Sequence, residues 1–313
     1  MVQLINTVQN SSTDKKKVII IAGPTGVGKT AIAIQLAKHF QTEIISADSR
    51  QCFKELDIGV SRPSKDELQE VKHHFIASHS VREEVTAATF EAYALQKTKL
   101  LFQQHDIVIM VGGTGLYIKA FCEGLDAIPE IDPAIRQRVI SCYEQNGIAW
   151  LQQQLQEKDP LFTRAGEMQN PQRMMRALEV METTGQSVLS FHKSAKARRD
   201  FNIIKIGLEL PREELNRNID TRVDKMMEAG LPGEVKQLIP YKNMNALQTV
   251  GYAELFDWME GKIPLEKAVE QIKTHTRQYA KRQTTWFRKD KEIRWFSPSQ
   301  QEEIIEQAIR APS

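Results

Sequence analysis

Cysteine is scarce in this 313-residue chain, which contains three cysteines, and no two of them stand in a C-x-x-C pair. This scarcity argues against a disulfide framework or a zinc site and suits a reducing cytosol, so a cytoplasmic protein is expected. No apolar run approaches the ~18 residues that a membrane-spanning helix needs, so no membrane partner is expected. The first 16 residues are polar and lack the apolar centre of a signal peptide, which predicts a disordered tail over 1–16.

The chain also lacks an excess of either charge. Its 42 Lys and Arg residues against 40 Asp and Glu residues give a formal net charge of +2. Any surface for nucleic acid must therefore be local. The length suffices for a large core and two structural units, and the 41% hydrophobic and 26% charged residues are ordinary for a globular protein.

One motif stands out near the N-terminus. Residues 23–30 read Gly-Pro-Thr-Gly-Val-Gly-Lys-Thr, which matches the phosphate-binding loop G-x-x-x-x-G-K-[ST]. The β-branched run 18–22 predicts a buried parallel strand before this loop, and apolar residues over 31–37 predict a helix after it. Backbone N–H groups, the helix N-terminus and Lys29 would hold a phosphate, and the Thr30 hydroxyl could ligate Mg²⁺.

Two further predicted strands end in polar residues. The strand 43–47 runs into Asp48, and the buried strand 107–111 runs into Gly112, Gly113 and Thr114. Functional groups collect at the carboxyl ends of strands in open α/β sheets, so Asp48 is expected beside the phosphate loop. Many P-loop NTPases carry an acid at the end of a strand such as 107–111, and its absence weakens the case for an ATPase motor. The alternative for Asp48 is a purely structural cap on the next short helix.

Strand signals stop between about residues 124 and 200. Helices are predicted over 133–145, 148–158 and 172–184, which indicates an all-helical lobe inserted between core segments 17–123 and 201–313. Arg173 and Arg176 share a face of the last of these helices. They, and Arg136, either contact RNA or form a solvated basic face, and spacing alone leaves both open.

The last long helix, predicted over 264–288, carries the local charge. From Lys273 to Arg294 there are eight basic and two acidic residues, with Tyr279 and Trp286 interleaved. This pattern fits a phosphate backbone with base stacking nearby. The alternative is a solvated helix face with aromatic residues packed in the core.

Six motifs together resemble one family over about residues 17–296. They are Gly-Pro-Thr-x-x-Gly-Lys-Thr at 23–30, Asp-Ser-Arg-Gln at 48–51, Gly-Gly-Thr-Gly-Leu-Tyr at 112–117, Pro-Gln-Arg-Met-Met-Arg at 171–176, Val-Gly-Tyr at 250–252 and Arg-Gln-x-Ala-Lys-Arg-Gln-x-x-Trp-Phe-Arg at 277–288. The chain resembles the bacterial tRNA dimethylallyltransferases, also called isopentenyl-diphosphate:tRNA transferases. The C-terminal zinc-finger extension of eukaryotic members has no Cys/His counterpart in this sequence.

The resemblance implies an enzyme with a P-loop NTPase-like α/β fold, and a monomer is expected. It implies that dimethylallyl diphosphate is the donor. The implied acceptor is N6 of the adenosine 3′ of the anticodon, in tRNAs that read codons beginning with U. The partners would thus be this donor, the tRNA anticodon stem-loop and Mg²⁺.

Reaction chemistry assigns roles to these residues. The phosphate loop and Lys29 would stabilise the leaving diphosphate, Asp48 would accept the N6 proton late in the reaction, and Thr114 would orient the base. The helical lobe and the basic helix would clamp the stem-loop from two sides. The residues assigned to the diphosphate are Gly23, Pro24, Thr25, Gly26, Val27, Gly28, Lys29 and Thr30. The resemblance implies Arg222 as a second phosphate contact, by its place in the family motif. The residues assigned to tRNA are Asp48, Ser49, Arg50, Gln51, Thr114, Arg136, Gln172, Arg173, Met174, Met175, Arg176, Gly251, Tyr252, Arg277, Lys281, Arg282, Trp286 and Arg288.

Two other functions stay open at this point. A P-loop kinase of nucleotides or small metabolites also suits an Asp after the second strand, although the Gly-Gly-Thr strand end and the basic helix count against it. An RNA-binding protein whose P-loop only gates binding is the third hypothesis.

Overall fold

The computed structural model describes residues 16–192 and 196–310. The predicted tail 1–16 lies outside these ranges except for Lys16. The strands are β1 (Lys17–Ala22), β2 (Ile44–Ser46), β3 (His73–His74), β4 (Ile107–Gly112), β5 (Asn202–Leu208) and β6 (Arg294–Phe296). The α-helices are α1 (Lys29–His39), α2 (Lys65–Glu70), α3 (Ala87–Leu101), α4 (Gly115–Glu123), α5 (Pro133–Lys158), α6 (Pro160–Ala165), α7 (Pro171–Thr184), α8 (Arg212–Glu228), α9 (Leu231–Gln237), α10 (Tyr252–Met259), α11 (Leu265–Phe287) and α12 (Gln301–Ile309).

These elements form two compact units. One unit comprises the described residues up to Cys122 and from Arg199 onward, and the other is Glu123–Arg198. The sequence-based boundaries for the inserted lobe were 124 and 200, one and two residues from these limits. None of the helices in the described ranges is both long and apolar enough to cross a bilayer.

The first unit is built on a six-stranded parallel sheet with strand order β3-β2-β4-β1-β5-β6. Strand β1 is central, and its first residue Lys17 pairs with Ile107 of β4 on one side and Asn202 of β5 on the other. The predicted α/β fold with a parallel sheet is confirmed. Strand β6 and helix α12 are absent from the sequence-based prediction. Strand β6 has only three residues, in a basic segment, and so carries no periodic signal.

The alternation of side chains along β1 explains why this strand is apolar throughout. Val18, Ile20 and Ala22 pack in one hydrophobic cluster, and Ile19 and Ile21 pack in another on the opposite face. All five side chains are at most 1% exposed. Burial of each Val or Ile contributes about 1.5–3 kcal/mol, so this strand holds the two helical layers to the sheet and fixes the position of the loop that follows it.

The second unit, the helical lobe (123–198), has its own core. Helix α5 contains a break at Gly147, whose φ of 71° and ψ of −168° divide it where the sequence predicts two helices. In α7 the side chain of Asn170 accepts a hydrogen bond from the Arg173 N–H, and Gly185 ends the helix in the left-handed conformation. Asn at the N-cap and a left-handed Gly after the last turn are residues that helix ends favour. The core includes Leu151, Leu155, Met174, Met175 and Leu178.

Candidate active site

Three parallel strands deliver the predicted polar residues to one edge of the sheet. Strand β1 ends at the phosphate loop, β2 ends before Asp48, and β4 ends before Thr114. A cavity of about 890 Å³ opens at this edge. Five basic and three acidic side chains line it: Lys29, Arg50, Arg62, Arg222, Arg282, Asp48, Glu67 and Glu254.

The phosphate loop has a backbone that glycine makes possible. Gly23, Gly26 and Gly28 have φ values of 145°, 85° and 96°, in the region that other residues rarely adopt. A Cβ on Gly23 would also lie 2.7 Å from the Leu208 carbonyl oxygen of β5. The loop curls tightly into α1, and the Lys29 ammonium donates a hydrogen bond of 2.7 Å to the Pro24 carbonyl. The N-terminus of α1 therefore opens into the cavity as an anion-binding site.

Two enclosed cations give this end of the cavity its electrostatic character. Burial, helped by the nearby Arg222 guanidinium, lowers the pKa of Lys29 to about 7, although Asp48 opposes the shift. Burial also lowers the pKa of Arg222, against the effect of Asp48. Arg222 donates a 3.1 Å hydrogen bond to the Thr25 hydroxyl. Lys29 and Arg222 thus converge on the loop, and a bound anion would relieve their mutual repulsion.

Asp48 makes structural contacts and also lines the cavity, and its role as a base stays a prediction. Its Oδ1 accepts hydrogen bonds from the backbone N–H groups of Arg50 at 2.8 Å and Gln51 at 3.2 Å, which caps the turn. The same residue lines the cavity beside Lys29. No hydrogen bond to Oδ2 is found from residues 16–192 or 196–310, so this oxygen is available to a ligand.

The side chains next to Asp48 make contacts within the protein. The Thr114 hydroxyl accepts from the Ser49 N–H at 3.0 Å and donates to the Ser49 hydroxyl at 3.3 Å, which ties the end of β4 to the end of β2. The Gln51 amide donates to the carbonyls of Val60 and Ser61. In this arrangement Thr114 and Gln51 hold the turn that carries Asp48, and the adenine contacts assigned to them stay predictions.

The glycines of the Gly-Gly-Thr-Gly segment let helix α11 approach closely. A Cβ on Gly113 would lie 2.2 Å from the Gln283 amide nitrogen, and one on Gly115 would lie 2.2 Å from the Trp286 ring. Gln283 donates to the Gly113 carbonyl at 2.9 Å and accepts from the Thr25 N–H at 2.8 Å. Trp286 is 38% exposed beside this contact. The motif at 112–117 is therefore a docking surface for α11 as well as a strand end.

Gln283 was not among the residues assigned from sequence. A signal was available, since an amphipathic helix rarely carries an amide on its apolar face and Gln283 shares that face with Ala280 and Phe287. Tyr279, one turn earlier, also lines the cavity, and the base stacking expected near it stays a prediction.

In the Val-Gly-Tyr segment, Gly251 lies at the cavity and Tyr252 packs inside the protein. Gly251, with a φ of 98°, lines the cavity, and its N–H donates to Glu254 at 2.8 Å. Tyr252 is fully buried and donates to Glu234 at 2.6 Å. Its ring lies 2.6 Å from the position of a Cβ on Gly59. This placement gives Tyr252 a packing role, and the assignment of its side chain to tRNA does not fit it.

The basic residues Lys273, Arg277 and Lys281 on α11 differ in whether they form ion pairs. Lys273 pairs with Asp224 at 2.6 Å, and Arg277 pairs with both oxygens of Asp220 at 2.7 and 2.9 Å, so both basic residues brace α8. Lys281 is exposed and forms no ion pair within the described ranges.

Two further arginines, Arg282 on α11 and Arg288 directly after it, lie near aromatic rings. The Arg282 guanidinium lies 5.8 Å from the centre of the Tyr279 ring. Arg288 lies 4.2 Å from the centre of the Trp295 ring and pairs with Glu209. These contacts limit the movement of both guanidinium groups. The ring contact does not neutralise the charge of Arg282.

In the helical lobe the motif at 171–176 has two faces. Met174 and Met175 are buried in the lobe core, and their expected contact with tRNA does not fit this burial. Gln172, Arg173 and Arg176 are exposed on α7. Arg173 lies 3.7 Å from Glu167, and Arg176 lies 3.6 Å from Glu179. Arg136 is exposed on the first turn of α5.

The oxygen donors at the loop fit Mg²⁺. Thr30 and Asp48 both line the cavity, so a hydroxyl and a carboxylate are available beside the anion site. No group of three or more His, Cys, Asp or Glu that could hold a metal occurs in residues 16–192 and 196–310. Mg²⁺ keeps several waters and takes one or two protein oxygens together with substrate phosphates, so these donors match its preference, and Mg²⁺ itself stays a prediction.

A parallel sheet whose central strand ends in a phosphate loop, with a carboxylate facing that loop, defines a P-loop α/β protein. The chain belongs to the IPP transferase family, whose model matches residues 51–290. The resemblance stated from the sequence motifs is thereby confirmed, and the family lends no support to the kinase alternative.

The relatives cover nearly the whole chain. The chain is 47% identical over 289 residues to a tRNA dimethylallyltransferase of Cytophaga hutchinsonii, covering 92% of this chain and 95% of the relative. It is 49% identical over 278 residues to a tRNA dimethylallyltransferase of Christiangramia forsetii, covering 89% and 92%.

Solved structures agree with the sequence relatives. The full-length tRNA isopentenylpyrophosphate transferase of Bacillus halodurans superposes with a TM-score of 0.68 at 32% identity, covering 93% of this chain and 94% of that one. A eukaryotic dimethylallyltransferase acting on tRNA gives a TM-score of 0.73 at 30% identity, covering 87% and 69%.

Proposed function

We propose that this protein transfers a dimethylallyl group from dimethylallyl diphosphate to N6 of the adenosine 3′ of the anticodon, in tRNAs that read codons beginning with U. The observation that carries the proposal is that Lys29, Arg222 and Asp48 line the same cavity, so two cations at the phosphate loop face a carboxylate. The relatives described as a tRNA dimethylallyltransferase and a tRNA isopentenylpyrophosphate transferase support transfer of a five-carbon group to tRNA.

The donor half of the reaction uses the phosphate loop. The C–O bond of the donor breaks at carbon, and its electron pair leaves with the diphosphate. Loop N–H groups, Lys29 and Arg222 stabilise the charge that grows on the leaving group. Mg²⁺ bound through Thr30 would neutralise further diphosphate charge. Apolar side chains of Val223, Met226 and Ile272 line the cavity and suit the allyl group, which must be kept from water.

The acceptor half uses Asp48. N6 of adenine is a weak nucleophile, and its proton becomes acidic only as the new C–N bond forms. The Oδ2 oxygen then accepts this proton while Oδ1 remains bound to the turn. The adenine must leave the stack of the anticodon loop to reach the cavity. Tyr279 and Arg282 line the cavity and suit stacking and phosphate contacts.

The experiment that tests this function compares two donors. Unmodified tRNA is incubated with dimethylallyl diphosphate or with ATP, and nucleosides are then analysed by mass spectrometry. The proposal requires an adenosine that has gained C5H8 with the first donor only. Phosphoryl transfer from ATP to a nucleotide without tRNA would favour the kinase, and RNA binding with no modified adenosine would favour the gated RNA-binding protein. Gel filtration of the same samples tests the proposed monomer.

Anion binding by Lys29 predicts a pH dependence. Its pKa is about 7 without ligand, and a bound diphosphate would raise that pKa, so binding above pH 7 takes up a proton. The affinity for inorganic diphosphate should therefore be greatest below about pH 7 and fall by up to ~10-fold per pH unit above it. Calorimetric titration across this range measures the slope. The Lys29→Arg variant stays charged across this range, so its slope reports only the titration of diphosphate itself. Equal slopes for the unmodified protein and this variant would contradict the assignment of the pH dependence to Lys29.

Because Arg277 on α11 forms an ion pair and Lys281 forms none within the described residues, we expect their replacement to have different effects. Lys281→Ala should weaken tRNA binding and lower the slope of log affinity against log salt by about 0.7–0.9. Arg277→Ala should leave that slope unchanged, because Asp220 already neutralises Arg277, and should instead lower stability by up to ~1 kcal/mol. Filter binding over a salt series and thermal melts measure both. A reduced slope for Arg277→Ala alone would reverse the two roles.

A further inference from the structure

Gln283 joins two strand ends through one buried amide. It is 6% exposed on α11, among apolar side chains. Its Oε1 accepts from the Thr25 N–H at 2.8 Å, and its Nε2 donates to the Gly113 carbonyl at 2.9 Å. Thr25 and Gly113 follow the neighbouring strands β1 and β4. The amide therefore links the two segments just beyond the point where the backbone pairing of these strands ends.

The two bonded groups belong to opposite halves of the proposed reaction. Thr25 is part of the phosphate loop, and its hydroxyl accepts from Arg222. Gly113 precedes Thr114, whose hydroxyl holds the N–H of Ser49 beside Asp48. A displacement of the Gln283 amide would therefore change the spacing between the anion site and the carboxylate.

The protein is built to admit this amide. A Cβ on Gly113 would lie 2.2 Å from its nitrogen, so only glycine permits the approach. Tyr279, one turn earlier on α11, also lies within hydrogen-bond reach of the Gln283 side chain and lines the cavity. Every polar group of the amide thus faces a component of the site.

We propose that Gln283 is a positioning residue that fixes the distance between the phosphate loop and the Asp48 turn. In doing so it sets the separation of the allyl carbon from N6. This inference rests on the proposed function. Displacement at carbon requires aligned reacting atoms, and a shift of about 1 Å can cost ~100-fold in rate.

The first test replaces Gln283 with Met, which has a similar length and no amide. At saturating substrates kcat should fall about 10–100-fold. The Kd for inorganic diphosphate should change less than ~3-fold, because Lys29 and Arg222 remain. Gln278→Met, at an exposed position of the same helix, is the matched control. An unchanged kcat, or a loss that only follows the folded fraction in a thermal melt, would overturn the proposal.

The second test approaches the same contact from its partner. Gly113→Ala places a methyl group against the Gln283 amide and should lower kcat to a similar extent. In a Gln283→Ala background the methyl group has room, so the added loss should be below ~3-fold. Additive losses in the double mutant would mean that the two residues act independently, and the proposal would fail.

A third measurement needs no turnover. Amide hydrogen exchange at Thr25 should accelerate in Gln283→Met and not in Gln278→Met, because the acceptor of the Thr25 N–H is lost. Unchanged hydrogen exchange at Thr25 would overturn the proposed positioning role of Gln283, whichever reaction the protein catalyses. By contrast, failure of the unmodified protein to form prenylated adenosine would reject the proposed function, so the two failures are distinguishable.

Discussion

Single-turnover transfer by an Asp48→Asn variant is expected to be about 10²–10⁴-fold slower than by the unmodified protein, with tRNA affinity unchanged. The asparagine Oδ1 can still accept hydrogen bonds from Arg50 and Gln51, so the turn keeps its cap. Only the ability to take a proton from N6 is lost. Rapid-quench analysis of product with donor and enzyme in excess measures the chemical step directly.

Asp48→Ala separates the two functions of this carboxylate. It removes both the base and the cap, so it should be as slow as Asp48→Asn in chemistry and less stable by about 0.5–2 kcal/mol. Near-normal transfer by Asp48→Asn with a slow Asp48→Ala would mean that the residue acts through the turn alone. Loss of tRNA binding with normal single-turnover chemistry would also contradict the base assignment.

Lys29→Ala is expected to lower kcat/KM for dimethylallyl diphosphate by about 10²–10³, because a preorganised charge on the leaving group is lost. The free energy of unfolding should not fall, since the partly desolvated ammonium no longer has to be buried. Steady-state kinetics with varied donor, at saturating tRNA, measure the effect.

A suitable control for Lys29 lies on the same helix. Lys38 is exposed near the end of α1 and pairs with Glu70, away from the loop. Lys38→Ala should leave donor kinetics unchanged. Equal donor kinetics for Lys29→Ala and the unmodified protein would refute the phosphate role, and a selective defect in tRNA affinity would move Lys29 to the acceptor half of the site.

The parts of the site at strand ends could be predicted from sequence. Buried β-branched runs identify parallel strands, and the glycine pattern with Lys29 identifies the loop. Parallel strands align their carboxyl ends, so the proximity of Asp48 to Lys29 follows from strand direction alone. The predicted strand and helix limits for β1, β2, β4 and α11 are within one residue of those in the structure.

Contacts between helices could not be predicted in this way. The pairing of Arg277 with Asp220 depends on α8 lying beside α11, which helical spacing does not specify. The burial of Tyr252 depends in the same way on Glu234 of α9 and on Gly59. A motif therefore identifies which residues matter more readily than whether each one contacts a ligand or the protein itself.

The central position of β1 has a consequence for how the protein is made. Lys17 pairs with Ile107 and Asn202, and Thr25 is held by Gln283, so the native neighbours of the first strand are synthesised long after it. Topologies dominated by such distant pairs fold slowly, and strands that await a partner expose apolar edges. The phosphate loop is thus among the first segments to leave the ribosome and among the last to reach its final form. Until α11 has been translated, the nascent chain carries a complete P-loop sequence without a complete anion site.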